Sequence, residues 1–504
     1  MRIQLRNYIF KLSKLDELDE LNELDTNKGI IIQVLVYDQL TRHIYRNQNA
    51  EHIISYYNRK ALDICVGYKD NRGFIDGLKD EEWIFYLLVY RHTNKRDNLL
   101  YVMSECWKRP INLLIKRFIK ATYKRANFEE ELDIYDSIFN INENDNYDKL
   151  ILDERCREKS GKILELDEIG DYGYIDNYDK NEPIIISLSG GVDSITCLYM
   201  LKRRYKDRHI IGCHINYNNR EETDDEVKFL IHICNQIGIR LYVRKIDEIK
   251  RGICIKNDLR DTYESYTKMI RFNVYKKVYE IEMGKDKGDN KPLIIMGHNK
   301  DDCFENILTN IAYMNKYDNL DGINKISIIN DVYMYRPLLD ITKEIIYKNA
   351  NECGYLYLKN STPVWSQRGK IRDSVVPILE RWDRRVIDGL FELSGVLKDL
   401  HINLMTNVDK FKEAVNNMDI NDLNMSELYW KYGIFKIFGL YPSNKSLKTL
   451  IERFRIFKLK YDKIDIRKGI KIIITKDIYI CIWKCRENKM GYYITNGKNA
   501  IIHK

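Results

Sequence analysis

The chain has 504 residues, 44% of them hydrophobic, and this length favours about three domains with substantial cores. Its net charge of +8 permits a nucleic-acid partner but does not require one. The 11 cysteines are scattered without a CxxC pair, which argues for a reducing compartment and against an iron–sulfur or zinc centre. The sequence has neither a membrane-spanning apolar run nor a secretory signal, so we expect a cytoplasmic protein without a membrane partner.

Charged, low-complexity sequence fills residues 1–27. Between residues 12 and 25, leucine recurs at every third position among acidic residues. A period of three drifts around an α-helix and therefore builds no single apolar face. We predict a solvated acidic tail here rather than a docking element, and its charge argues against direct RNA binding.

Residues 28–135 are predicted to be helical, because apolar positions recur there at helical spacing. The clearest runs are Ile31–Leu40, Ile53–Val66, Trp83–Tyr90 and Leu99–Met103. The segment Asp38-Gln-Leu-Thr-Arg-His-Ile-Tyr-Arg46 resembles the Asp-Gln-Phe-x-Arg-Asn-x-x-Arg signature of an uncharacterised family of helical, tetratricopeptide-like proteins. That resemblance implies an α-helical fold and no dependable activity.

Three charged residues of this signature have two possible roles. Asp38, Arg42 and Arg46 either form a buried ion network, which we favour, or line a ligand pocket. We expect His92 to be structural rather than catalytic. Residues 107–125 form a basic amphipathic helix after Pro110, whose basic face is either solvated, as we favour, or in contact with phosphates.

Residues 136–182 differ from what precedes them. They are acidic and rich in Asn, Asp and Tyr, with several glycines. This composition predicts a linker, with a charged helix near residues 152–163.

From residue 183 to about residue 385, short apolar strands alternate with helices. The strand-like runs are Ile184–Leu188, Ile210–Ile215, Leu241–Ile246 and Leu293–Met296, and the helix-like runs are Ile195–Lys206, Asp224–Ile237 and Tyr263–Glu282. Strands separated by helices predict a parallel sheet with a nucleotide site at its carboxyl edge. The expected fold class is α/β, with an N-terminal all-α domain and a C-terminal helical plus small β region.

The turn Ser-Gly-Gly-Val-Asp-Ser at residues 189–194 joins the first of these strands to the first helix. Unpaired backbone N–H groups and the positive end of a helix meet at such a turn and bind anions. No Gly-Lys-Ser/Thr follows, so this is not the lysine-containing phosphate loop, and no Gly-x-Gly-x-x-Gly is present. The hexapeptide resembles the pyrophosphate loop of the ATP pyrophosphatase superfamily, whose members split ATP into AMP and pyrophosphate and adenylate a substrate.

Further motifs follow at the later strand ends and beyond. They are His214-Ile-Asn-Tyr-Asn-Asn-Arg220, Gly297-His-Asn-Lys-Asp-Asp-Cys-Phe-Glu305, Arg336-Pro-Leu-Leu339 and Arg368-Gly-Lys-Ile-Arg372. In order and spacing, the chain over residues 183–385 resembles the tRNA(Ile)-lysidine synthase family and its thiolating relatives. The resemblance implies adenylation of the C2 oxygen of a wobble cytidine in tRNA and displacement of AMP by free lysine.

The resemblance also implies roles for individual residues, with ATP and Mg²⁺ as cofactors. The implied ATP-binding residues are Ser189, Gly190, Gly191, Val192, Asp193, Ser194, His214 and His298. The implied metal ligands are Asp193, Asp301 and Asp302, because hard carboxylate oxygens suit Mg²⁺. The implied catalytic residues are Asp193, Asp301, Glu305 and Arg271, and the implied tRNA contacts are Arg336, Arg368 and Arg372.

Several positions depart from the family pattern. The family's His-x-Asn/Asp-His-Gly-Leu-Arg has Tyr217 at its second histidine, and its His-His-x-x-Asp-Asp-x-x-Glu-Thr has Gly297 at its first. The family's helix motif Arg-x-x-Arg-Tyr appears here as Lys268-Met-Ile-Arg-Phe272, with lysine in place of the first arginine. A lysine keeps the charge of arginine but loses its two-pronged geometry. His298 could instead be a helix-start hydrogen-bonding residue, and Arg368 and Arg372 could form loop-fixing ion pairs.

Residues 386–465 are predicted to be a helical substrate-binding region and residues 466–504 a small β region, which together are similar to the long forms of lysidine synthase. Two other functions stay open. One is a tRNA thiolase that uses the same adenylation with a sulfur donor, although many thiolases carry CxxC pairs. The other is a catalytically silent RNA-binding or scaffold protein. The sequence does not set the oligomeric state.

Overall fold

The computed structural model describes most of the chain with gaps. The described residues are 27–45, 50–136, 169–284, 291–313, 322–358, 367–409, 426–438, 445, 447–449, 451–452, 470–475, 478–484, 490–495 and 500–503. Two compact units are present. One comprises Met1–Asp301 with Asn324–Pro363, and the other comprises Asp302–Ile323 with Val364–Lys504. No helix of the described ranges is long and apolar enough to cross a membrane.

The first unit begins with helices, as the apolar spacing predicts. They are α1 (Asn27–Val34), a π-helical turn (Leu35–Leu40), α2 (Thr41–Tyr45), α3 (Glu51–Gly67), α4 (Arg72–Gly77), α5 (Asp80–Arg91), α6 (Arg96–Lys108) and α7 (Leu113–Arg125). Asn71 and Asn112 precede α4 and α7, and each side chain accepts a hydrogen bond from a backbone N–H of the first turn. These caps satisfy donors that the helix itself leaves unpaired.

A seven-stranded sheet forms the centre of this unit. Its strands are β1 (Asp133–Tyr135), β2 (Ile184–Ser187), β3 (Ile210–Asn216), β4 (Arg240–Lys245), β5 (Leu293–Met296), β6 (Ile326–Ile329) and β7 (Val332–Tyr335). Their spatial order is β1-β4-β3-β2-β5-β7-β6. Neighbours from β4 through β7 are parallel, whereas β1 and β6 pair antiparallel at the two edges. The predicted α/β class with a parallel sheet is confirmed.

Helices of the first unit connect the strands. They are α8 (Gly173–Asp176), α9 (Val192–Arg204), α10 (Thr223–Ile237), α11 (Arg251–Lys256), α12 (Arg260–Met283), α13 (Lys300–Tyr313, which continues into the second unit) and α14 (Lys343–Glu352). Both faces of the sheet are buried. Ile184 and Ile186 pack in one apolar cluster with α9 and α10, whereas Ile185 packs in the other with α12. This alternation follows the two-residue period of a strand.

The N-terminal helices share their core with the sheet. Trp83, Tyr86 and Ile119 belong to the same apolar cluster as Ile185 and Tyr275. The chain then continues from α7 into β1, which pairs with β4. The helical segment is therefore packed against the sheet and also hydrogen-bonded to its edge.

A buried ion network fixes this contact. The guanidinium of Arg244 on β4 donates to Glu130, which precedes β1, at 2.8 Å and to Glu248 at 2.6 Å. All three side chains are at most 3% exposed. The hydroxyl of Tyr123 on α7 donates to the carbonyl oxygen of Glu248, and the hydroxyl of Tyr266 donates to its carboxylate. The network thus joins the helical segment to β4 and α12.

The second unit is described by its own elements. Its helical part contains α15 (Gln367–Lys370), a π-helical segment (Ile371–Val375), α16 (Val376–Asp383), α17 (Arg385–Asp409) and α18 (Glu427–Phe438). An antiparallel sheet follows with the order β11-β10-β9-β8. Its strands are β8 (Ile470–Thr475), β9 (Ile478–Lys484), β10 (Met490–Thr495) and β11 (Ala500–His503).

Some elements differ from the sequence prediction. The four predicted strands of the parallel sheet and the helices between them are present, with ends shifted by a few residues. The sequence analysis did not predict β1, β6 or β7, which are three or four residues long. Such short strands have too few positions to show a period. The acidic repeat at 12–25 and the charged helix near 152–163 lie outside the described residues.

Replacement of Arg244 by methionine tests the ion network. We expect R244M to lower the free energy of unfolding by about 3–5 kcal/mol, because it leaves two buried carboxylates without their counter-charge. Urea denaturation measures this loss. R260Q is a matched control, since Arg260 and Glu264 form a half-exposed pair, and such pairs contribute about 0–1 kcal/mol. Equal stabilities of R244M and R260Q would contradict the assignment.

Candidate active site

The loop Ser189–Ser194 leaves the carboxyl end of β2 and enters α9, as the sequence predicts. Gly190 adopts a positive φ of 79°, and a Cβ there would lie 2.6 Å from a methyl carbon of Leu358. The carbonyl oxygen of Gly190 accepts a hydrogen bond from the Leu358 amide at 2.9 Å, and Gly191 forms a parallel bridge with Leu358. Only glycine combines this backbone angle with this close approach. The segment at Leu358 therefore holds the loop against the first turn of α9.

Two hydroxyl groups order the loop from within. The Ser194 hydroxyl accepts from the backbone N–H of Ser189 at 3.2 Å and donates to the carbonyl of Gly191 at 3.1 Å. The Ser189 hydroxyl lies 3.1 Å from that of Ser194. Gly191 is the N-cap of α9 and makes no side-chain capping bond. The loop therefore presents a helix N-terminus without a side-chain cap, the local arrangement that binds phosphate.

Gly297 is required by contact with the same helix start. A Cβ at Gly297 would lie 2.8 Å from the amide nitrogen of Ser194 and 2.9 Å from the carbonyl carbon of Asp193. Both atoms are backbone, so they cannot move away as a flexible side chain can. This contact explains why the second motif begins with glycine at the position where the resembling family has histidine.

The Asp193 carboxylate lies between two donors. One oxygen accepts from the Asn299 side-chain amide at 2.8 Å, and the other lies 3.1 Å from the Lys343 ammonium. The Lys343 backbone N–H donates to Asp301 at 2.8 Å. The start of α14 therefore contacts both carboxylates. Asn299 and Lys343 were not among the predicted site residues, because the resemblance implies no role for Asn299 within its motif and Lys343 lies between motifs.

Two further site residues lie near the carboxyl end of β2. His214 is buried, and its Nδ1–H donates to the carbonyl of Leu188 at 2.8 Å. Burial lowers the pKa of His214, so the ring is neutral, and its Nε2 has no hydrogen-bond partner among the described residues. The Nε of Arg271 is likewise buried without a described partner. Arg271 lies close to Tyr275, whose hydroxyl donates to Ser187 at 2.9 Å.

Arg336 is buried against partners from its own chain. It is 5% exposed, and its guanidinium donates to the carbonyl of Asn324 at 2.6 Å, to Ser327 at 3.0 Å and to Nδ1 of His298 at 3.3 Å. These contacts hold the start of the β6–β7 hairpin and orient His298 after β5. The contact of Arg336 with tRNA stays a prediction.

The second unit holds a charged cluster of its own. The Arg372 guanidinium donates to Glu305 at 2.7 Å and lies 3.4 Å from Asp302. Glu305 is 1% exposed, and burial raises its pKa even though Arg372 opposes that shift. Arg368 on α15 is exposed and near enough to act on Glu305 through its charge. The ion-pair alternative for Arg372 thus matches its contacts, whereas Arg368 is exposed enough to reach a ligand.

The predicted magnesium ligands do not form a cluster. No three His, Cys, Asp or Glu side chains of the described ranges lie close enough together to hold a metal ion. Asp193 and Asp301 contact Lys343, and Asp302 contacts Arg372. The side chains therefore do not fit a metal centre built from three protein carboxylates.

The cysteines near the motifs pack in the interior. The eight cysteines whose side chains the structure describes are buried and have free thiols. Burial raises the pKa of Cys213 to about 12 and also raises that of Cys197. A thiol whose pKa is raised is a poor nucleophile and metal ligand at neutral pH.

Comparisons with known proteins match the part of the chain that contains the Ser189–Ser194 loop and the parallel strands. Residues 165–379 match the PP-loop domain family. The tRNA(Ile)-lysidine synthase of Mycoplasma mycoides subsp. mycoides is 25% identical over 310 residues, which cover 58% of this chain and 71% of that protein. The enzyme of the same name from Malacoplasma penetrans is 25% identical over 285 residues, which cover 53% and 87%. The solved U34-tRNA thiolase NcsA from Methanococcus maripaludis, with its 4Fe–4S cluster, is 20% identical, covers 48% of this chain and 76% of that chain, and has a TM-score of 0.34.

Alanine at position 297 tests the close packing of the loop. We expect G297A to weaken ATP binding by about tenfold or more, because overpacking against fixed backbone displaces the first turn of α9. Isothermal titration calorimetry with ATP measures the change. G252A is the control, since no atom lies within 4 Å of a Cβ at Gly252. Wild-type ATP affinity in G297A would show that the contact does not position the site.

Removal of the ammonium at Lys343 tests its contribution to phosphate binding. We expect K343M to weaken the binding of pyrophosphate by about tenfold, because a cation beside the loop offsets phosphate charge. Product inhibition by pyrophosphate measures the effect. K348M, which removes an exposed lysine from the same helix, should behave as wild type. If pyrophosphate inhibits K343M and K348M with equal constants, Lys343 pairs with Asp193 but does not contribute to phosphate binding.

Proposed function

We propose that this chain, which contains a PP-loop domain at residues 165–379 and is similar in sequence to tRNA(Ile)-lysidine synthases, is an ATP-dependent tRNA-modifying ligase. Its reaction adenylates a cytidine of tRNA and joins that cytidine to lysine. The observation that carries the proposal is the Ser189–Ser194 loop, which presents the start of α9 at the carboxyl edge of a parallel sheet. Ligand sites of open α/β sheets lie at that edge.

The loop is suited to the leaving pyrophosphate. Backbone N–H groups at the start of α9 and the hydroxyls of Ser189 and Ser194 are donors for phosphate oxygens. Lys343 supplies a positive charge 3.1 Å from Asp193. Charge that develops on pyrophosphate as it leaves is stabilised by donors that are already in place.

The first step is an adenylation. The C2 oxygen of the cytidine attacks the α-phosphorus of ATP, the bond from that phosphorus to the bridging oxygen of the β-phosphate breaks, and pyrophosphate leaves. Arg271 is our candidate for the α-phosphate contact, because its Nε is buried without a partner among the described residues. His214 holds the strand end before the loop through Leu188 and offers its unprotonated Nε2 as an acceptor.

The second step joins lysine to the base. The lysine amine attacks C2 of the adenylated cytidine, a C–N bond forms, and the C2–O bond breaks so that AMP leaves with that oxygen. The amine must lose a proton. Glu305 in the second unit is our candidate acceptor, because burial raises the pKa of its carboxyl toward the range of a general base.

Magnesium is proposed as a companion of ATP rather than as a resident ion. Mg²⁺ bound to nucleotides takes most of its ligands from phosphates and water and needs only one or two carboxylates. Asp193 is the carboxylate beside the loop and is the candidate contact. When bound, the ion would supply positive charge to the phosphates.

The thiolase alternative is less well supported. The described cysteines are buried, and no CxxC pair occurs in the sequence. A scaffold without catalysis would not require the close packing of Gly190 and Gly297 around α9. Both arguments favour the ligase.

The decisive assay combines the protein with tRNA, ATP and radiolabelled lysine. We expect label in tRNA and AMP formation that depends on lysine. D193A should lower AMP formation by about 100-fold or more, because it removes the candidate contact for the ion that would supply positive charge to the phosphates, and loss of one such electrostatic contribution has effects of that size. D207A removes an exposed carboxylate at the opposite edge of the sheet and should keep wild-type activity.

Three results would contradict the proposal. Sulfur incorporation without lysine transfer would favour the thiolase. No AMP formation with any tRNA would favour the scaffold. Wild-type activity of D193A would show that the reaction occurs elsewhere in the protein.

A further inference from the structure

A cavity of about 250 Å³ lies among the N-terminal helices, far in sequence from the PP-loop. We call it the basic cavity. It is lined by Arg42, Arg91, His92, Asn94, Lys95, Leu99, Thr122, Arg125, Ala126, Asn127 and Phe128. The ends of α5 and α7, the start of α6 and the helix α2 meet there. The proposed reaction uses none of these residues, so the cavity needs an explanation of its own.

The charge of the lining is strongly unbalanced. Four of the lining residues are arginines or lysines, His92 is a fifth basic residue, and none is acidic. The carboxylate of Asp38 lies behind the lining, is 0% exposed, and accepts from Arg42 at 2.9 Å and from His92 at 2.9 Å. This is the ion network favoured by the sequence, although Arg46 lies outside the described residues. Asp38 therefore holds Arg42 and His92 and leaves the other cations of the lining without a carboxylate.

The Arg91 guanidinium is partly desolvated and lies near other positive charges. It is half-buried at the end of α5, over the ring of Phe118, at 5.4 Å from the ring centroid. Burial, together with the charges of Arg125 and Arg42, lowers the pKa of Arg91 to about 10, although the charge of Asp38 opposes this shift. No ion pair of Arg91 or Arg125 occurs within the ranges that the structure describes. An anion in the cavity would relieve both the desolvation and the repulsion between these guanidinium groups.

The helix that supplies Thr122 and Arg125 to the cavity also carries an exposed basic face. Arg117, Lys120 and Lys124 are exposed on α7 at positions i, i+3 and i+7, and these positions form one stripe on a helix. Arg125 ends the same helix and lines the cavity. We call Arg117, Lys120 and Lys124 the α7 stripe. A single small phosphate would need the cavity alone, whereas a basic cavity and a basic stripe on the same helix match a polymer with evenly spaced negative charges.

We propose that the basic cavity and the α7 stripe together bind phosphates of the tRNA backbone, which gives the N-terminal helices a role in holding the substrate. This inference rests on the proposed tRNA function and adds a binding surface to it. The competing explanation is that Arg91 and Arg125 only stabilise the negative C-terminal ends of α5 and α7. That explanation accounts neither for the cavity nor for Lys120, which lies in the middle of its helix.

The test compares tRNA affinities of the full-length protein at several salt concentrations by fluorescence anisotropy. The variants are R91Q/R125Q in the cavity and K120Q/K124Q on the stripe. We expect each to weaken tRNA binding by about tenfold near physiological salt and to lower the salt dependence by about one unit of slope for each phosphate that the variant no longer binds. K180Q/K206Q is the control. Both lysines are exposed, and they precede the amino ends of β2 and β3.

The outcomes separate this inference from the proposed function. If the wild-type protein binds tRNA and both variants match it in affinity and slope, the surface is wrong and the ligase proposal is unaffected. If the wild-type protein splits ATP but binds no tRNA, both fail. If R91Q/R125Q loses stabilisation by inorganic phosphate in thermal unfolding but keeps wild-type tRNA binding, the cavity is a small-anion site and the RNA assignment is overturned. The stripe variant removes only exposed side chains, so it tests the surface even if R91Q/R125Q folds poorly.

Discussion

The first turn of α9 is confined on two sides by backbone, and the proposed chemistry depends on that confinement. On one side Leu358 donates to Gly190, and on the other Gly297 approaches the Asp193–Ser194 peptide more closely than any Cβ would allow. A helix N-terminus binds phosphate only if its N–H groups are fixed in direction. Two glycines after different strands, Gly190 and Gly297, therefore let neighbouring backbone pack closely enough to fix the first turn of α9.

Much of this could be predicted from the sequence, because the relevant signals are local. The run from Ile184 to Ser194 contains the strand, the loop and the helix start, so the anion site is predicted from it. The alternation of strands and helices over residues 183–385 predicts the parallel sheet. The role of Lys343 could not be predicted, since its contact with Asp193 joins residues 150 positions apart. The surroundings of Arg336 could not be predicted for a related reason. A motif shows that an arginine is present, but only packing shows that its guanidinium is buried against Asn324 and Ser327.

The N-terminal helices were predicted as helices, but their relation to the sheet was not. The strand β1 is too short to show a period, and Glu130 and Arg244 reveal their partnership only when β4 is adjacent. An ion network that is at most 3% exposed holds its partners in one geometry, since a displaced member would leave a buried charge uncompensated. The basic cavity is therefore part of the same compact unit as the Ser189–Ser194 loop. A substrate that binds both the basic cavity and the Ser189–Ser194 loop would therefore bind within a single unit.

The charges around Asp193 show how the site can accept a highly anionic nucleotide without a metal cluster of its own. Asp193 contributes a negative charge beside a loop that binds phosphate, which by itself would repel ATP. Lys343 offsets that charge at 3.1 Å, and its backbone N–H also holds Asp301. Since Lys343 begins α14, the direction of its backbone N–H is set by that helix. Incoming phosphates compete with Asp193 for the same ammonium, so nucleotide binding would release the carboxylate for a cation that arrives with ATP. In the proposed reaction, the Lys343–Asp193 pair would thus link phosphate binding to the exposure of the Asp193 carboxylate.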